Sequence, residues 1–72
     1  MHPVAKIIEI VGTSSVSIED AIQTAIARAA KTIDNLQWFQ VTEVRGAISG
    51  QAIDRYQVML KLGFGLEDGS DG

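Results

Sequence analysis

Between Ser17 and Ile33 the apolar residues recur at Ile18, Ala21, Ile22, Ala25, Ile26, Ala29 and Ile33. Steps of three and four place them on one face of a single helix. Ser17 followed by Asp20 has the spacing of a capping box, with Asp a weaker partner than Glu. Glu19 and Asp20 sit near the helix start and Arg28 and Lys31 near its end, as the helix dipole favours. Asn35 reads as the C-terminal stop. A stripe this rich in alanine suits close packing on a sheet.

The flanking segments supply that sheet. Val4 to Val11 is short and rich in β-branched residues, and Gly12-Thr13-Ser14-Ser15 reads as the loop that ends it. Two more strands follow, Leu36 to about Arg45 and about Ala52 to Phe64. Gly46, Ser49 and Gly50 lie between them, which predicts a hairpin. The order is β-α-β-β, an α+β chain whose three-stranded antiparallel sheet wraps on one helix. Residues 67–72 read as a flexible acidic, glycine-rich tail.

Seventy-two residues allow one domain. A chain of this size buries only about 60% of its unfolded surface and needs reinforcement. With no cysteine, disulfides and thiolate metal sites are out. A lone histidine, His2, makes a histidine metal site improbable. Oligomerisation remains. Six basic residues, scattered among nine acidic ones for a net charge of -3, do not make the basic stripe of a nucleic-acid binder. No apolar run approaches ~18 residues and no signal pattern opens the chain, so no membrane partner and a cytoplasmic location are expected.

Strand parity sorts the remaining residues. Phe39, Val41, Val58, Leu60, Leu62 and Phe64 are expected under the helix. Trp38, Gln40, Thr42, Ile53, Gln57 and Met59 fall on the opposite face, which one helix cannot cover. A tryptophan there is an exposed aromatic until a ligand or another subunit meets it, and subunit interfaces favour tryptophan. Strict alternation places Arg45 on the Phe39 face, unless a bulge near Gly46 turns it over.

Along nearly its whole length the chain resembles the dodecin family. The matching residues are Ile8-Glu9-Ile10-Val11-Gly12-Thr13-Ser14, Glu19-Asp20-Ala21, Arg28-Ala29 with Lys31-Thr32, Trp38-Phe39, Glu43 with Arg45-Gly46, and Tyr56-Gln57-Val58 with Lys61 and Gly63-Phe64. Departures are Ala5, where relatives often carry an aromatic, Gln40, where glutamate is common, and Asp34, where a basic residue is common. The resemblance implies a hollow homododecamer, helices outside, with flavin pairs stacked between tryptophans at two-fold axes. It implies flavin storage and no catalysis. Trp38 takes the stacking position and Gln57 the position that bonds the flavin's pyrimidine edge. Arg45 looks like the bacterial branch, which is similar in binding flavin mononucleotide (FMN). FMN is therefore favoured over riboflavin, with coenzyme A a further ligand of some bacterial members.

The residues themselves agree with the ring site. An indole offers a broad stacking face, and a primary amide offers an acceptor beside a donor, matching the flavin edge. Arg45 has two readings, a phosphate partner or an inter-subunit salt bridge with Glu43. Two rival functions differ in class. A tautomerase-type enzyme needs proline directly after the initiator methionine, and here His2 precedes Pro3. No Ser-His-Asp set or cysteine nucleophile exists, and Glu9, Glu43 and Asp54 are not paired in sequence. A structural shell would share the assembly and bind no flavin.

Overall fold

The computed structural model describes residues 4–66. His2, Pro3 and the predicted acidic tail at 67–72 lie outside them. The order is β1 (Ala5–Ser14), α1 (Ile18–Ala29), β2 (Leu36–Ser49) and β3 (Ala52–Gly65). All pairings are antiparallel and the sheet order is β1-β3-β2, so the last strand is central.

Local chemistry sets the helix ends. Ser17 is the N-cap, and its hydroxyl accepts from the Asp20 N–H at 2.9 Å. The Asp20 carboxylate does not complete a capping box. It accepts instead from Ser14 Oγ at 2.6 Å, while Ser14 Oγ accepts from the Val16 N–H at 2.9 Å. Those bonds tie the end of β1 to the first turn of α1. The predicted loop at Gly12–Ser15 is thus strand as far as Ser14, because Gly12, Thr13 and Ser14 pair with Val58, Gln57 and Tyr56. The helix is also shorter than the apolar period suggested. Ala30 is the C-cap, residues 30–32 form a turn, and Ile33 packs beside the core from outside the helix. Asn35 sits at φ 67°, the left-handed conformation its short amide side chain tolerates.

The core is small. It consists of Ala21, Ala25 and Ala29 of α1 against Val58, Leu60 and Leu62 of β3. Gly12 permits this closeness, since a Cβ there would run into the Ala21 carbonyl and stand 3.0 Å from Ala25 Cβ. Alanines on the helix and a glycine on β1 let two backbones approach that larger side chains would hold apart.

The helix packs chiefly on β1 and β3. The expectation that Phe39 and Val41 lie under it is therefore corrected: both are exposed on β2, and Phe64 is only half-buried. Parity was right and lateral position was not. β2 is an edge strand, and only its first residue, Leu36, packs beside the core. The hairpin also runs longer than predicted, with a two-residue turn at Gly50 and Gln51, both at positive φ (60° and 69°), as a tight hairpin demands. Gly46 belongs to β2.

The molecule measures 56 × 20 × 13 Å with a radius of gyration of 15.2 Å. A compact chain of this length would have about 11 Å. The excess is the β2–β3 arm, which extends past the end of β1 and carries the exposed pair Ile48 and Ile53. Among the described residues no helix is long and apolar enough to cross a membrane.

Candidate functional site

The sheet face away from the helix holds the candidate residues. On β3 the buried side chains are Val58, Leu60 and Leu62, so Gln57, Met59, Lys61 and the Cα hydrogens of Gly63 point the other way. Direct partners across an antiparallel pair share a face. Trp38 is opposite Gly63, Gln40 opposite Lys61, Glu43 opposite Met59, and Arg45 opposite Gln57. Trp38, Gln57 and Arg45 therefore share one face.

For Arg45 this corrects the alternation expected from sequence. The ladder shifts register between Val41 and Glu43, with Thr42 the extra residue. Thr42 Oγ1 donates to the Met59 carbonyl at 3.1 Å and so pins the bulge to β3. Beyond it the parity of β2 is inverted. The bulge lies at Thr42 rather than near Gly46, and Thr42 leaves the row of Trp38 and Gln40. A second shift, between Ala47 and Ile48, leaves Asp54 unpaired and matches Ile48 to Ile53. Ile53 accordingly departs from the row of Arg55 and Gln57.

Trp38 is 43% exposed. Its indole lies on the backbone of Gly63: a Cβ on that glycine would collide with the ring at Cε2, Cζ2 and Nε1. One ring face rests on the sheet and the other is open. Ile7 flanks Gly63 on the β1 side and Val11 follows along the same face, both about half exposed. Between them on that face lies the polar row of Glu9, Lys61 and Gln40, so the indole and Ile7 form an apolar end that this row bounds.

Gln57 is half-buried and Arg45 exposed, side by side at the other end of the row. Among the described residues the ion pair is Asp54 with Arg55, at 3.0 Å between exposed side chains. Arg45 and Glu43 share the face without pairing within the chain. Gln57 lies six residues along β3 from Gly63, roughly 20 Å at ~3.4 Å per residue. The row has a stacking end and a polar end.

Among the described residues, cavities also form beside Trp38 and near the end of the helix. One of about 160 Å³ is lined by Ile26, Leu36, Gln37, Trp38, Phe39 and Leu62, below the roughly 300–1,000 Å³ usual for a ligand site. A larger open one, about 570 Å³, lies between Thr32–Asn35 and Phe64–Leu66 and includes none of the three candidates. No group of three or more metal-ligating side chains occurs among the described residues.

Comparison with known proteins agrees with this architecture. The family model described as Dodecin matches residues 4–67. A curated Thermus thermophilus protein, Dodecin, is 50% identical over 68 residues, covering 94% of this chain and 99% of its own length. A crystal structure of a Thermus thermophilus protein superposes with a TM-score of 0.90 at 49% identity, covering 93% of this chain and 98% of that one. The dodecin from Streptomyces coelicolor gives 0.88 at 42% identity, covering 92% and 94%.

Proposed function

The chain belongs to the dodecin family, and we propose that it binds flavin for storage and sequestration, as a homododecamer, without turning over a substrate. One observation carries this reading: an indole laid flat and half open on the sheet face that the helix leaves bare, in a row with an amide and a guanidinium. A large flat electron-poor ring is the natural occupant of such a face.

The length of the row supports assembly. The gap between Trp38 and Gln57 exceeds the span of a three-ring system, so a ring stacked on Trp38 takes its edge contact from Gln57 of a second chain. Two facing rows related by a two-fold axis bring each indole toward the other chain's Gln57 and Arg45. The 15.2 Å radius of gyration and the exposed Phe39, Val41 and Val44 on the helix side of β2 point to further contacts between copies.

Titrating the full-length protein with riboflavin and with FMN tests the reading. Quenched flavin emission is expected, because an indole in contact donates an electron to the excited flavin. A short-lived excited state forms less reactive oxygen, which suits a protective store. Light scattering on the same sample is expected at twelve times the chain mass. Undiminished emission at saturating protein would support the empty shell, and a monomer mass would remove the site.

Two variants separate the ring reader from the phosphate reader. Gln57→Ala is expected to weaken riboflavin and FMN alike, by about 1–3 kcal/mol, the cost of a buried edge left unpaired. Arg45→Ala is expected to weaken FMN alone, by about 1.5–3 kcal/mol if the assembly desolvates it, and by less if water reaches it. Equal loss of both ligands on removing Arg45 would assign it to the pocket wall or to the salt bridge with Glu43. Unchanged affinities on removing Gln57 would contradict the ring-edge role.

A further inference from the structure

The contact between Trp38 and Gly63 goes further. Gly63 is buried in the central strand, between Ile7 of β1 and Trp38 of β2. Nothing about its backbone demands glycine, because its φ is not among the positive values of this chain. Space demands it: the volume of a methyl group at Gly63 is occupied by the indole of Trp38, at Cε2, Cζ2 and Nε1.

The geometry points to Gly63 as a positioning residue of the ring site, one that sets the height of the indole above the sheet. The inference rests on the flavin-binding reading. With glycine, the indole settles on the backbone at van der Waals distance, roughly 3.5–4 Å. The ring rests against the strand backbone, and its exposed part is offered to whatever approaches. A side chain at Gly63 would lift or tilt the ring. In a site closed by two chains the slot between facing indoles would then narrow from both sides. A stack of flat rings tolerates little of that, because dispersion and stacking fall off over fractions of an ångström. Gly63 thus controls slot thickness without touching the ligand.

The test uses the 72-residue chain, in which Trp38 is the one tryptophan and hence the source of indole emission. Gly63→Ala is expected to shift the emission and the near-ultraviolet dichroism of Trp38 in flavin-free protein. It is expected to raise the riboflavin Kd at least tenfold. The same substitution in a Trp38→Ala background has no ring to displace, so it is expected to leave the melting temperature of that background unchanged. This arm also covers a Gly63→Ala protein that fails to assemble, because removing the indole should restore assembly. Wild-type riboflavin affinity in Gly63→Ala, or an unmoved indole spectrum, would overturn the proposal. So would equal damage in both backgrounds, which would assign the glycine to the strand rather than to the ring. Absence of riboflavin binding in the wild type would remove the functional reading alone. The indole spectrum and the paired melting curves would still decide the seat.

Discussion

Trp38→Ala is expected to weaken riboflavin binding by about 2–4 kcal/mol, thirtyfold or more, the range of a central aromatic anchor. The loss has two parts. An aromatic pair contributes roughly 0.5–1.5 kcal/mol beyond burial, and the ring's own area contributes the rest at about 25 cal/mol per Å². The indole is half exposed and absent from the core of Ala21, Ala25, Ala29, Val58, Leu60 and Leu62, so the chain should still fold and assemble. Trp38→Phe keeps a smaller stacking face and should fall between the two. Emission titration against riboflavin checks the series. Unchanged affinity in Trp38→Ala would leave the residue as interface filler, and the flavin reading would lose its principal support.

Leu60→Ala is expected to destabilise the chain by about 2–5 kcal/mol. Leu60 is fully buried, between Ile10 on β1 and Val41 on β2. A domain of this length has only roughly 4–11 kcal/mol in total at 0.05–0.15 kcal/mol per residue, and three buried alanines leave few large side chains to collapse into the void. The variant should melt well below the wild type at equal protein concentration, a condition that matters because association shifts the midpoint. Leu60→Met, nearly equal in volume, should cost less than about 1.5 kcal/mol. A Leu60→Ala melting curve coincident with the wild type would show that stability resides in contacts between chains.

Much of this was legible in the residues. The helix followed from its three-and-four spacing, its start from Ser17, and the common face of Trp38 and Gln57 from parity. Among the differences, two that shape the site arose for different reasons. The exposure of Phe39 and Val41 depends on which strand lies central, and alternation carries no information on lateral order. The bulge at Thr42, by contrast, was written in β2. Around the bulge its apolar residues stand at Phe39 and Val41 and then at Val44, a change from odd to even positions. The charges at Glu43 and Arg45 take up the odd positions that the apolar residues leave. That exchange is what a single inserted residue produces, and it turns Arg45 toward Gln57. The seat of the indole could not be read this way, since a glycine in a strand suggests close approach without naming what approaches.

The irregularities in β2 and its partner also bear on the chain on its own. β2 is an outer strand of fourteen residues, with one side of its backbone unpaired and apolar side chains along its length. A flat ribbon of that kind invites endless strand addition and amyloid-like growth. The ladder it forms with β3 shifts at Leu36/Trp38, at Val41/Glu43 and at Ala47/Ile48. Each shift bends the ribbon and deepens its twist, so a foreign strand finds only short stretches to match. The device that aims Arg45 therefore also makes the single chain, with its apolar edge bare, a poor template for aggregation.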